Sequence, residues 1–248
     1  MKRALFGFFL LLIFLQEGFA RDSTPKQIGL FIVATGKYIQ FVNPLITSAR
    51  HWFCTDHHVV FFVFTDQEMQ EEFDVIRIPV RHLGWPYATL MRFHMYAEYQ
   101  EQFDCLDYIF AIDADALFVA PVGEEIFSDR VFTLHPGFVN RAGTYERNPL
   151  SAACVASHEG TFYFAGGFYG GSPKEFFRFV NTAKEKVDQD LAKGCIALWH
   201  DESHLNRYAI DYPPTLILTP SYCYPESWRL PYVKKILVLD KDHCAMRN

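Results

Sequence analysis

An α/β fold with a mostly parallel sheet covered on both faces is predicted by three observations. Apolar runs of strand length alternate with helix-patterned segments, several of those runs are apolar throughout rather than on alternate residues, and half of the 248 residues are hydrophobic. Continuous apolar strands are the mark of sheets buried on both sides, and the strand–helix–strand alternation supplies the helices that bury them.

The elements follow in order. Ile28 to Ala34 reads as a buried strand, and Tyr38 to Phe53 carries helical spacing. Val59 to Phe64 is a second strand, ending at Thr65-Asp66. Val75 to Val80 is a third, which Pro79 brings to its end. Ala88 to Phe103 reads as a helix. Tyr108 to Ile112 is a strand that runs straight into Asp113-Ala114-Asp115. Thr161 to Gly171 is aromatic and glycine-rich, a composition that lets backbone approach a ligand closely. A helix should then run from Ser172 to Lys193. Ser172 is its cap, Pro173 its first residue, Glu175 the far side of a capping box and Gly194 its stop.

Composition narrows the function. A formal charge of -6 and a pI near 5.9 leave no basic footprint, so nucleic acid is not an expected partner. An acidic protein that binds an anionic ligand must supply local cations instead. Six widely spaced cysteines contain no C-x-x-C pair, which excludes zinc-ribbon and thioredoxin motifs and leaves disulfides open. Met1-Lys2-Arg3 precedes an apolar run from Ala4 to Leu15, and Gly18-Phe19-Ala20 has small residues at signal-peptidase spacing. A bilayer span needs about 20 residues. Residues 1–20 are therefore expected to be a signal peptide or a short signal-anchor, with membrane association through the N-terminus in the second case, and 21–248 a single catalytic domain.

Three clusters could carry chemistry. Asp113-Ala114-Asp115 ends an apolar strand, and in α/β sheets ligands gather at the carboxyl ends of strands. Two carboxylates at that spacing suit a hard divalent cation that keeps open positions for phosphate oxygens. Taken alone, the pair fits a solvated turn as well. Trp199-His200-Asp201-Glu202-Ser203-His204 is dense in polar groups. His200 and His204 are one helical turn apart, but Asp201 stands where the zinc-protease pattern needs Glu, so that pattern fails. Its plain reading is a helix start capped by Asp201 or Ser203. Lys241, His243 and Arg247 form a basic tail able to close over a diphosphate; alone, they read as solvated terminal charges.

These clusters, in this order, resemble glycosyltransferase family 6, the retaining enzymes that include histo-blood group A and B transferases and α1,3-galactosyltransferases. Val63-Phe64-Thr65-Asp66-Gln67, Thr133 to Phe138, Thr144-Tyr145-Glu146-Arg147 and above all Trp199 to Asn206 carry the resemblance, which extends from Ile28 to Asn248. It implies a GT-A fold, Rossmann-like, with a mixed sheet and helices on both faces. It also implies transfer of GalNAc or Gal from UDP-GalNAc or UDP-Gal to a galactose-type glycan acceptor in α1,3 linkage.

By the same resemblance, Asp113 and Asp115 would hold Mn²⁺ against the UDP phosphates. Val33, Ala34, Thr35 and Tyr38 would line the uridine site, and Trp85, Arg92, Ala114, Ala165, Gly166, Gly167, Lys241 and Arg247 the rest of the donor. His135, Thr144 and Glu202 would contact the acceptor. Glu202 would also be the nucleophile, or the group that stabilises an oxocarbenium-like transition state; a front-face mechanism stays open. Small residues at Ala165 and Gly167 leave space for an N-acetyl group, so UDP-GalNAc is the expected donor.

Two departures stand out. Tyr224-Pro225 replaces a family Trp-Asp pair that helps to hold the acceptor, and the usual long stem before the catalytic domain is missing, which suits a secreted or soluble form or a bacterial relative. Intact Asp-x-Asp favours the metal-dependent animal type over bacterial Asn-x-Asn members. Supply of UDP-sugars points to the Golgi lumen, with a secreted form as the variant. The alternatives are a transferase-like protein that binds glycans without catalysis, which the intact Asp113, Asp115, Glu202, Lys241 and Arg247 oppose, and a metal hydrolase using His200 and His204.

Overall fold

The computed structural model describes residues 24–70 and 72–247. The expected N-terminal targeting segment and Asn248 lie outside the described residues. In chain order the elements are β1 (Gln27–Val33), α1 (Val42–Trp52), β2 (His58–Thr65), β3 (Val75–Pro79), α2 (Tyr87–Leu90), α3 (Arg92–Glu98), β4 (Tyr108–Asp113), β5 (Ala116–Phe118), β6 (Arg130–Leu134), β7 (Phe164–Gly171), α4 (Pro173–Ala192), α5 (His200–Asp211), β8 (Leu216–Leu218), β9 (Tyr224–Pro225), β10 (Ile236–Val238) and α6 (His243–Arg247).

Seven strands form one sheet in the order β3-β2-β1-β4-β7-β6-β8, and β5-β10-β9 form a small second sheet. The first four strands are mutually parallel, as their apolar runs predict. Most of the glycine-rich stretch is β7, which pairs antiparallel to both β4 and β6 and makes the sheet mixed. Its glycines are needed there. A Cβ on Gly170 would stand 2.3 Å from the Ile109 carbonyl oxygen, so β4 and β7 can pair this closely only without one. This mixed α/β sheet, with helices on both faces, is the GT-A architecture expected.

Alternate residues of β1 feed two cores. Ile28, Leu30 and Ile32 pack with α1, β5 and β10, while Phe31 packs with α3 and α4 among Phe62, Phe64, Tyr96, Phe103 and Phe176. The Phe31 ring lies 4.6–5.5 Å from each of those five rings, in tilted or edge-on arrangements. Such offset contacts add to simple burial of area.

Three expected helices are divided or capped differently. The one expected from Tyr38 opens as a 3₁₀ segment, Gly36–Phe41, before α1. The one expected over Ala88–Phe103 is broken at Met91 and Tyr99 into α2, α3 and a 3₁₀ turn. At α4 the capping box does not form. Ser172 makes no side-chain cap bond, and Glu175 instead accepts from Arg130 at 2.7 Å, an option invisible in local sequence because Arg130 is 45 residues away. Gly194 does close that helix with positive φ. All six cysteines are free thiols.

Candidate functional site

The strand register assembles the site. Val33 pairs with Asp113 across β1 and β4, so the Val33-Ala34-Thr35 strand end lies beside the acidic triplet. On the other flank of β4, Ile112 pairs with Phe168. The β6–β7 ladder then jumps, with Phe132 opposite Tyr169 but Thr133 opposite Ala165. Residues 166–168 are thus bulged out of one ladder, the usual way a sheet re-aims its backbone beside a site. The bulge turns the Gly166 N–H to Glu202 Oε2 at 2.9 Å and the Gly166 carbonyl to Arg92 at 3.4 Å.

Arg92 ties three elements together from α3. Both terminal nitrogens lie 3.1 Å from Asp113 Oδ1, and its Nε lies 3.1 Å from Asp201 Oδ2 at the start of α5. Burial works against its charge, but the two carboxylates outweigh that and keep the guanidinium firmly protonated. Arg92 therefore orients the first carboxylate of the triplet and locks Asp201. It lies in the cavity wall beside Asp113.

Asp115 is buried, and Lys241 Nζ pairs with its carboxylate. The second sheet explains how a tail residue reaches it. Val238 of β10 pairs with Ala116 of β5, and the Leu239 N–H then bonds the Asp115 carbonyl at 2.8 Å, leaving Lys241 two residues on. Lys241 also sits 5.5 Å from the Tyr38 ring centroid. His243 and Met246 of α6 line the same cavity, whereas the Arg247 side chain lies outside the described residues.

This cavity has a volume of about 270 Å³ and is walled by Val33, Thr35, Tyr38, Trp85, Arg92, Asp113, Ala114, Asp115 and Lys241. Of the other expected donor residues, Ala34 is buried beneath the cavity, and Ala165, Gly166 and Gly167 of β7 are not among the residues that line it. A larger cavity of about 430 Å³ opens at the other end of the strands, beside Gln27 and His58. It collects none of the three chemical clusters, so its size alone does not mark it as a site.

Two carboxylates at a strand end, one of them buried against a cation, form a place built for positive charge. Among the described residues no cluster of three or more His, Cys, Asp or Glu side chains could enclose a metal ion. Asp113 and Asp115 nevertheless fit the way small divalent cations are held with phosphates: one or two protein carboxylates, with phosphate oxygens and water completing the shell.

Glu202 is half-buried, and Tyr163 is buried above it. Burial raises the Glu202 carboxyl to about 7, despite the Gly166 N–H that favours its charged form. Asp201 is raised to about 6, again by burial, with Arg92 pulling the other way. The Tyr163 hydroxyl lies near both Glu202 and Thr144 without closing a well-aligned hydrogen bond to either, and its ring is 5.7 Å from that of His135. All three expected acceptor residues thus gather around Tyr163. His135 Nδ1 accepts the Gly137 N–H at 3.0 Å, and burial depresses its pKa to about 4. The ring is then neutral, with its proton on Nε2 as a ready donor.

Neither histidine of the i, i+4 pair enters a metal cluster. His200 packs edge-on against Trp85 at 5.1 Å, and His204 is fully buried with Nε2 3.6 Å from Asp190 Oδ2. The helix start is closed by Ser203, whose Oγ accepts the Trp199 N–H at 2.9 Å. Asp201 makes no cap; Arg92 holds it instead.

Sequence reasoning missed Tyr163, Cys223 and His82. Cys223 is buried beneath the bulge, with Sγ 3.2 Å from where a Cβ on Gly167 would stand. None of the three belongs to a short motif. Only the tight spacing of Asp201 and Glu202 announced a second buried carboxylate.

The family model for glycosyltransferase family 6 matches residues 12–248. Histo-blood group ABO system transferase 1 of Rattus norvegicus is 35% identical over 257 residues, which cover 94% of this chain and 72% of that protein. The globoside alpha-1,3-N-acetylgalactosaminyltransferase 1 of Homo sapiens is 30% identical over 237 residues, covering 89% and 68%. A bacterial relative, the O-antigen biosynthesis glycosyltransferase WbnI of Escherichia coli, is 29% identical over 223 residues, covering 87% and 95%.

Proposed function

Because the chain belongs to glycosyltransferase family 6, we propose that its cavity is the donor site of a retaining enzyme that moves GalNAc, or Gal, from a UDP-sugar to a galactose-type acceptor in α1,3 linkage. The observation that carries this reading is the placement of Asp113 on one side of the Gly166 bulge and Glu202 on the other, joined through Arg92 and Gly166, with Asp115 paired to Lys241 beside them. The names of the relatives, an ABO system transferase and an alpha-1,3-N-acetylgalactosaminyltransferase, support the donor and linkage.

In this reading Val33, Ala34, Thr35 and Tyr38 receive the uridine, and Trp85, Arg92, Ala114 and Lys241 surround the diphosphate. Arg247 belongs to the same basic tail. Asp113 and Asp115 would hold Mn²⁺. When bound, that ion offsets the negative charge that grows on the leaving UDP. Lys241 adds a second positive charge, delivered by β10. Ala165, Gly166 and Gly167 are assigned to the sugar end of the donor, where their small size favours the N-acetyl donor.

Glu202 would face the reacting carbon from the side away from the diphosphate. Its carboxylate either attacks that carbon or stabilises positive charge on it. The Gly166 N–H holds the carboxylate in place, and its surroundings keep water away. His135, through Nε2–H, and Thr144 position the acceptor hydroxyl group's sugar. Residues 1–20 are a targeting segment and 21–248 the catalytic unit, working in the Golgi lumen on a glycolipid, glycoprotein or oligosaccharide. Among the described residues no helix is long and apolar enough to cross a membrane.

The decisive experiment follows UDP release from UDP-GalNAc and UDP-Gal with a panel of β-galactosides and Mn²⁺, with and without chelator. Acceptor-stimulated release that stops with chelator is expected. Failure to form UDP, whether by transfer or by slow hydrolysis, would refute the reading.

A further inference from the structure

We infer that His82 is a nucleoside-binding residue of the donor cavity, seated on the backbone of Gly36. The inference rests on the donor-site reading above. Gly36 has φ +57, in the left-handed region, and a Cβ there would stand 2.9 Å from His82 Cε1 and 3.2 Å from Nδ1. The imidazole therefore occupies the space that any other residue at 36 would fill.

The loop is held in that shape from behind. The Gly36 N–H donates to Asp66 Oδ1 at 2.7 Å, and Gln67 Nε2 donates to Asp66 Oδ2 at 2.5 Å. His82, exposed and on the irregular stretch between β3 and α2, thus rests against a glycine whose own position is fixed.

Its face borders the same cavity as Tyr38, Asp113 and Lys241. The two aspartates and Lys241 mark the end that takes diphosphate charge. Gly36 lies three residues beyond Val33, the partner of Asp113, along the chain that leaves the strand. A nucleotide with its phosphates at the aspartates extends its ribose and base along that chain, past Gly36. An imidazole there offers one ring nitrogen as donor and one as acceptor, which suits base carbonyl, imino and ribose hydroxyl groups.

The test is a set of calorimetric titrations of the full chain with Mn²⁺ and UDP, with uridine measured by displacement, no acceptor present. His82→Ala should weaken UDP and uridine by the same factor, about tenfold for one lost hydrogen bond and its packing. His82→Gln should recover part of the loss. Gly36→Ala, which pushes the ring aside without removing it, should weaken both ligands, and adding His82→Ala to it should cost little more. Lys241→Ala should weaken UDP far more than uridine.

Unchanged uridine binding in His82→Ala, or a loss confined to UDP, overturns the assignment while leaving the donor site intact. If the unaltered chain binds neither UDP nor uridine, the donor-site reading itself fails and takes this inference with it.

Discussion

The N–H of Gly166 donates to Oε2 of Glu202 at 2.9 Å, and the same peptide strand offers its carbonyl to Arg92 at 3.4 Å. One bulged glycine thus fixes the carboxylate on α5 and touches the arginine that orients Asp113. Acidic and cationic halves of the site are coupled through backbone, not only through side chains.

Replacing Glu202 tests the half that lies across from the metal motif. Glu202→Gln keeps the bond to Gly166 within reach but removes the negative charge, and turnover should fall by about 10²–10⁴ with UDP affinity retained. The wild-type rate should rise with pH through about 7, because burial holds the carboxyl protonated below that value. Stability runs the opposite way. With a folded pKa raised above the usual 4.5, the stabilisation present below 4.5 is lost as pH rises through about 7. Thermal melts of Glu202→Gln should therefore gain on wild type at pH 8 and not at pH 4. Equal gains at both would remove this carboxyl as the cause.

Arg92 is buried between two carboxylates, so losing it strands charge. Arg92→Met should destabilise the fold by about 3–5 kcal/mol, the usual effect of breaking a buried pair. Chemical denaturation would measure it. A loss under 1 kcal/mol would mean that Asp113 and Asp201 relax to solvent or simply protonate.

For the metal motif, Asp113→Asn should abolish Mn²⁺-dependent enhancement of UDP binding. Asp115→Asn should do the same and also free the tail, since Lys241 loses its partner. Limited proteolysis near residue 240 reads out the second effect. If Asp115→Asn cut no faster than Asp113→Asn, the pairing would not be what holds the tail.

Gly167 faces a tight wall. An added Cβ would meet Cys223 Sγ at 3.2 Å and Asp113 Oδ2 at 3.4 Å. Gly167→Ala should lower kcat/KM for UDP-GalNAc relative to UDP-Gal, and Cys223→Ala in the same chain should restore part of it by clearing the sulfur. Competition assays with both donors would show this. A uniform loss for both donors would place the clash on the metal motif rather than on the sugar.

The strand that ends at Asp113, the parallel pairing around it and the helix that starts at Pro173 and is closed by Gly194 are readable from apolar runs and local punctuation. The clusters at Asp113, Glu202 and Lys241 are equally visible as residue types in order. What was not readable is how neighbours far apart in sequence compete for the same groups. Glu175 abandons its cap for Arg130, because a guanidinium offers a stronger partner than a backbone N–H, and Asp201, two residues past the Trp199 cap position, pairs with Arg92. Thr161 to Gly171 reads in sequence only as glycine-rich chain able to approach a ligand; that Phe164–Gly171 is a strand, with Gly170 there because β4 passes too close for a Cβ, depends on the pairing.

By itself, then, the sequence determined the α/β class, the position of two carboxylates at a strand end and a polar helix start, since all three follow from short-range periodicity and residue chemistry. The tertiary structure alone decided that the β7 bulge would aim Gly166 at Glu202, that β10 would carry Lys241 to Asp115, and that His82 would settle on Gly36. Each of these is a pairing register or a contact between distant segments, and such contacts depend on how strands align and loops close rather than on any local pattern.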